Sequence, residues 1–163
     1  MPKWLGLAGV IVVLDHLTKL LVQRTFTLHE SLTVTPFFNL VLVHNRGAAF
    51  SFLSDAGGWQ RELFIAIALA AAAWIAWLLR RHAREKRFSL ALSLILGGAI
   101  GNVIDRVLHG AVVDFLDFHA LGWHWPAFNV ADIGISCGAI LLVWDALAPK
   151  PSRVPAGNRG PGV

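Results

Sequence analysis

Four stretches of the chain run apolar with few charged interruptions, each near the roughly 20 residues that carry a helix across a bilayer. They lie at about 4–22, around LGLAGVIVVL; at 63–79, around FIAIALAAAAWIAWLL; at 88–108, FSLALSLILGGAIGNVIDRVL; and at 128–147, FNVADIGISCGAILLVWDAL. The first follows Lys3 as a signal-peptide core would. No small-residue cleavage site follows it cleanly, and the segment continues through DHLTKLLV, so it reads as a retained helix. Between the first two spans, SLTVTPFFNLVLVHN combines β-branched and aromatic residues with partial period-two alternation. That predicts two or three short strands resting at the membrane surface. Before the fourth span, HALGWHWPAF carries Trp123 and Trp125, which suit the headgroup zone and predict a short interfacial helix. The closing PKPSRVPAGNRGPGV has little to bury. Disorder is expected over 150–163, leaving 1–149 as a single membrane domain.

Composition strengthens this reading. Of 163 residues, 56% are hydrophobic and 15% charged, against about 45–50% and about 25% in a soluble domain. The expected fold is therefore an integral membrane protein, mainly α, with four transmembrane helices. The net charge of +4 would raise nucleic-acid binding on a soluble domain. Here the cations gather in RRHAREKR at 80–87 and at the two ends of the chain, and none occurs between Val107 and Leu147. The positive-inside rule accounts for this distribution, so no nucleic-acid partner is expected. Both termini then face the cytoplasm, and the loops at 24–60 and 109–127 face outward. The one cysteine, Cys137, allows no intramolecular disulfide and reads as a small buried residue.

Polar groups inside spans are costly, so each raises a functional question. Asp15 and Lys19 share a helix face as an i, i+4 ion pair, or hold other groups in place. Asn102, Asp105 and Arg106 form either a packing cluster or the polar wall of an outward-opening site. Asn129 and Asp132 match a capping box at the start of the fourth helix, which does not exclude chemistry there. Gly97 with Gly101 and Gly134 with Gly138 each permit close helix approach; if those two faces meet, Asp114 comes near Asp132. Asp114, between valines and Phe115, has no simple structural explanation, whereas Asp117 reads as solvated or capping. Two facing carboxylates cannot both ionise cheaply. One then activates water while the other, still protonated, hydrogen-bonds the attacked carbonyl.

Five blocks give this a family context: DHLTK at 15–19, NRGAAFSFL at 45–53, GGAIGNVIDR at 97–106, VVDF at 112–115 and FNVAD at 128–132. In this order and spacing the chain resembles lipoprotein signal peptidase, the type II signal peptidase of bacteria. His16 stands where many members carry Gln. The resemblance implies a metal-independent aspartic endopeptidase of the inner membrane, with no cofactor. It implies cleavage of lipidated prolipoproteins just before the diacylglyceryl-modified cysteine, and inhibition by globomycin. It implies four transmembrane helices with a small periplasmic β-cradle and a short periplasmic helix. Carried over by residue, the catalytic pair is Asp114 and Asp132. The supporting residues are Asp15, Lys19, Asn45, Gly47, Gly98, Asn102, Asp105, Arg106, Asn129 and Ala131. The segment with Asn45 is expected to clamp the substrate and the Trp123–Trp125 stretch to act as a lid. Four spans make a self-sufficient bundle, so a monomer in direct contact with lipid is expected.

Two other readings stay open on residues alone. Asp114, Asp117, His119, His124 and Asp132 include metal-ligating types, although no H-E-x-x-H motif is present. Asp15, Asp105 and Arg106 would also suit the ion path of a small transporter or channel subunit.

Overall fold

The structure, a computed structural model, describes residues 1–47 and 57–148. The expected tail at 150–163 and positions 48–53 of the NRGAAFSFL block lie outside the described residues.

Helix α1 spans Pro2–Thr25, α2 Gln60–Arg81, α3 Lys86–His109 and α4 Val130–Leu147. All four are long and apolar enough to cross a membrane. Each of the first three extends past the expected span because its ends are polar. Gln60, Arg61 and Glu62 open α2, Arg80 and Arg81 close it, and Lys86 and Arg87 open α3. Long basic side chains at such ends reach the interface while their backbone stays helical. Glu62 in the first turn of α2 and the arginines in its last also suit the helix dipole.

Helix α3 is the central element and packs against α1, α2 and α4. Its glycines set how closely. A Cβ on Gly97 would stand 2.7 Å from the Ala8 carbonyl oxygen of α1, and one on Gly98 would overlap the Ala131 carbonyl of α4. On α4, Gly134 and Gly138 lie against the backbone of Leu94 and Ala91. The glycine faces of α3 and α4 therefore meet only in part. Gly97 serves α1, and it is Gly98 and Gly101 that receive the first turn of α4. Ala8, Ala72, Ile75, Leu79, Leu92 and Leu96 fill the space between the helices.

Above the bundle, β1 (Ser31–Thr35), β2 (Phe38–Asn45), β3 (Val112–Ala120) and β4 (Trp123–His124) pair antiparallel in that order. The loop between α1 and α2 thus supplies two strands, as its partial alternation predicts. The stretch HALGWHWPAF departs from expectation. It forms the end of β3, a tight turn, β4 and an extended return, not an interfacial helix. The register pairs Ala120 with Trp123, so Leu121 and Gly122 alone make the turn, with φ of 52° and 80°. Two positive φ values match the twist of a two-residue hairpin. The β-branched and aromatic residues of VVDFLDFHA were the available signal. Val113 and Phe115 point inward onto Val22 and Leu42, while Asp114 points to the opposite face.

Candidate active site

β3 leaves the end of α3 through Gly110, whose φ of 73° closes the helix in a left-handed cap. After the hairpin, the chain re-enters the bundle at α4. Asp114 sits on β3 opposite Val43 of β2. Asn45, two residues beyond Val43 and so on the same face, donates from Nδ2 to Asp114 Oδ2 at 3.1 Å. Asp132 occupies the first turn of α4 in the expected capping box. Its N–H donates to Asn129 Oδ1 at 2.9 Å, and its Oδ2 accepts from Asn129 N at 3.3 Å.

Two asparagines join the aspartates. Asn129 Nδ2 lies 2.7 Å from Asp114 Oδ1, 3.2 Å from the Val113 carbonyl and 3.3 Å from Asn102 Oδ1. An amide has two hydrogens, so these acceptors share them, and the short bond to Asp114 dominates. Asn102 Nδ2 donates to Asp132 Oδ1 at 2.8 Å. The line Asp114–Asn129–Asn102–Asp132 is continuous.

Beneath it Lys19 is fully buried. Its Nζ reaches Asp15 at 2.7 Å, Asp105 at 2.8 Å and Asn102 Oδ1 at 3.1 Å. The expected Asp15–Lys19 pair is thus a three-charge cluster extended to α3. Each carboxylate has a second task. Asp15 Oδ1 accepts from Ala131 N at 2.8 Å, which fastens the start of α4 to α1. Asp105 Oδ2 accepts from Val113 N at 3.0 Å, which fastens β3 to α3. Gly101 leaves room for this cluster, since a Cβ there would lie 2.6 Å from Asp15 Oδ2.

Arg106 lies near the C-terminal end of α3, on the side of the sheet. Its Nη2 donates to the Gly47 carbonyl at 2.8 Å, and Gly47 N donates to Asn45 Oδ1 at 2.9 Å. Its guanidinium stands 5.2 Å from the ring of Phe64. Arg61 reaches from α2 to the end of α3, donating from Nε to the Arg106 carbonyl at 2.9 Å and from Nη2 to the Val107 carbonyl at 3.1 Å. Arg61 and Phe64 were not singled out in the sequence. Both sit in the first turns of an apolar span, where no local pattern marks them.

Asp114, Asp132, Asn102 and Arg106 line one cavity of about 930 Å³, walled on its apolar side by residues such as Phe64 and Ile133. Burial, together with the negative charge of Asp132, pushes the Asp114 carboxyl up to about 7, more than Asn45 and Asn129 offset. Asp114 therefore holds its proton to near-neutral pH.

Three sequence expectations need correction or refinement. Asp117 is buried rather than solvated. Asn39, its cross-strand partner, donates to it at 2.9 Å, and His124 Nδ1 lies 2.9 Å from both its oxygens. Burial alone would raise the Asp117 carboxyl, but these partners hold it below the ordinary value. Cys137 is exposed, not buried, and lines the cavity wall, because the apolar α4 turns that flank toward the space beside α2. His119 and His124 stack on each other at 4.9 Å, and among the described residues no three His, Cys, Asp or Glu side chains gather as metal ligands.

Four apolar helices carrying a small antiparallel sheet, with two carboxylates lining a cavity between them, define a membrane-embedded enzyme. The fold superimposes on a bacterial membrane enzyme solved by the in meso method at 2.3 Å, with a TM-score of 0.81 and 33% identity over 90% of this chain and 88% of that one. A second, solved at 1.9 Å, gives 0.79 and 32% over 92% and 96%. The family model described as signal peptidase (SPase) II matches residues 7–148. The lipoprotein signal peptidase of Ralstonia nicotianae is 61% identical over 144 residues, 88% of this chain and 83% of that protein. That of Paraburkholderia phymatum is 60% identical over 147 residues, 90% and 89%. The chain belongs to the signal peptidase II family, and its activity is proteolysis.

Proposed function

We propose that this protein is an aspartic endopeptidase that removes the signal peptide from lipidated prolipoproteins. The observation that carries the mechanism is the Asp114–Asn129–Asn102–Asp132 line along the cavity wall. Asp114, with its carboxyl near 7, supplies the proton. Asp132, whose contacts are all to N–H groups, acts as the ionised base. A water between them loses a proton to Asp132 as its oxygen attacks the scissile carbonyl carbon. Asp114 hydrogen-bonds and then protonates the carbonyl oxygen. Collapse of the tetrahedral intermediate breaks the C–N bond: the proton held by Asp132 goes to the leaving amine, and one hydroxyl of the intermediate returns its proton to Asp114, which restores the dyad.

Supporting residues hold this geometry. Asn45 and Asn129 fix the Asp114 carboxyl, Asn102 fixes Asp132, and the Lys19 cluster fixes Asn102. Gly98 and Ala131 let α3 and α4 approach, and Arg106 with Gly47 secures the end of β2. Substrate carbonyls meet Arg106, whose Nε has no partner among the described residues. The signal helix and diacylglyceryl chains lie along the apolar wall of the cavity, so the bilayer itself brings the scissile bond to the dyad. Trp125 lines the rim, the position of a cover. No cofactor enters these steps.

Supporting the topology, the dyad lies at the end opposite the cations between α2 and α3. The site then faces the periplasm, with both termini in the cytoplasm, in the bacterial inner membrane. Residues 1–149 act as one monomeric domain, and globomycin-type peptides compete for the cavity. The test is a purified-protein digest of a diacylglyceryl-modified prolipoprotein peptide, read by mass spectrometry. A product beginning at the lipidated cysteine is expected. Equal cleavage of the unlipidated peptide, or a cut elsewhere, would overturn the reading.

A further inference from the structure

The first two turns of α2 grip Arg106 twice. Arg61 and Phe64, three apart and so on one helix face, meet different parts of it. Arg61 donates to the Arg106 carbonyl, which also accepts the capping N–H of Gly110, and to the Val107 carbonyl beside it at the end of α3. Phe64 presents its ring to the Arg106 guanidinium at 5.2 Å, within the range of a cation–π contact. The same guanidinium donates to the Gly47 carbonyl at 2.8 Å. Gly47 in turn donates to Asn45 Oδ1, and Asn45 Nδ2 donates to Asp114. Each link is a direct contact, and the chain runs from α2 to a carboxyl on the outer sheet.

Each link also restricts the next. An arginine has many rotamers, and Arg106 lies beside an open cavity where several are accessible. With its backbone held by Arg61 and one face of its guanidinium covered by Phe64, Nη2 is left aimed at Gly47. The Gly47 bond then sets the direction in which β2 ends, and with it the Asn45 amide.

We propose that Arg61 and Phe64 are positioning residues that act on the site through Arg106, fixing the end of β2 against which substrate binds. The proposal rests on the proteolytic reading of the site. Neither residue touches the reacting atoms, so their loss changes substrate binding more than the chemical step.

The experiment compares Arg61→Gln, Phe64→Leu and Phe64→Tyr, each alone and combined with Arg106→Gln. Cleavage kinetics are measured on the lipidated peptide, and hydrogen–deuterium exchange is followed at residues 43–47. Arg61→Gln and Phe64→Leu should raise KM by about tenfold, the scale of one lost polar contact, and change kcat by less than about threefold. Phe64→Tyr, which keeps the ring, should restore KM. Exchange at 43–47 should quicken in Arg61→Gln and Phe64→Leu, and neither should add to the effect of Arg106→Gln. Additive effects, or a fall in melting temperature with KM and exchange unchanged, would overturn the proposal. A wild-type protein that leaves the peptide uncut would refute the proteolytic reading instead, and the exchange cycle would still decide the coupling.

Discussion

Lys19 Nζ donates to Asn102 Oδ1 at 3.1 Å, and this one bond decides which way the Asn102 amide faces. Lysine has only donors. The side of Asn102 turned to it must be oxygen, so its NH2 is the end that meets Asp132. The same logic holds for Asn129, whose oxygen is claimed by the Asp132 N–H and whose NH2 therefore meets Asp114. The two aspartates are oriented by amides that cannot turn over.

Lys19→Met tests this directly. It leaves Asp15 and Asp105 buried without their cation and frees Asn102 to rotate. A loss of about 3–5 kcal/mol in unfolding free energy is expected, as for other buried pairs broken on one side. Cleavage should fall further than the unfolded fraction explains, which paired unfolding and activity measurements in one detergent will show.

Gly98→Ala places a Cβ onto the Ala131 carbonyl, at the turn of α4 that carries Asp132. The helices must part, at a cost of about 1–3 kcal/mol, and activity should drop at least about tenfold. Gly6→Ala meets nothing within 4 Å and should alter neither by more than about twofold in rate or about 1 kcal/mol. Melting and cleavage assays on both variants separate the close approach from a general aversion to replacing helical glycines.

The Asp114 carboxyl sits near 7, so the acid that the proposed mechanism places at the carbonyl is present below that pH and lost above it. On the alkaline side, kcat/KM should fall about tenfold per pH unit. In Asp132→Asn the like charge is gone and burial remains. The Asp114 titration should then move below about 7 while staying above the ordinary value. Carboxyl NMR on both proteins measures it, and an unmoved titration would mean that the two groups are not coupled.

Asp117 gives the opposite sign. Its folded-state carboxyl is held low by Asn39 and His124, so it contributes stability above its unfolded value of about 4 and loses it as pH falls through the folded one. Hydrogen exchange in the β3–β4 hairpin should quicken in acid. Asp117→Asn should show fast exchange there at neutral pH while keeping cleavage within a few-fold of the wild type.

The helices were legible because hydropathy over 20 residues averages out individual exceptions, and their polar ends were the part such averaging hides. Asp114 and Asp132 could be paired from the sequence through the family blocks. The amide line between them could not, since neither Asn102 nor Asn129 states which end of its side chain faces where. The β3–β4 hairpin was misread because its tryptophans pointed to an interfacial helix and outweighed the β-branched and aromatic residues of VVDFLDFHA. Asp117 was misread for a related reason: its partner Asn39 is 78 residues away in sequence. Arg61 likewise meets carbonyls 45 and 46 positions distant.

On the proposed mechanism, Asp114 and Asp132 act as one catalytic pair. The most direct measurement is the single-turnover cleavage rate of a diacylglyceryl-modified prolipoprotein peptide by Asp114→Asn, Asp132→Asn and the double variant, with folding checked by melting. Each single change should lower the rate by at least about 10³-fold, and the double change should add almost nothing. Near wild-type cleavage by either folded single variant would contradict it.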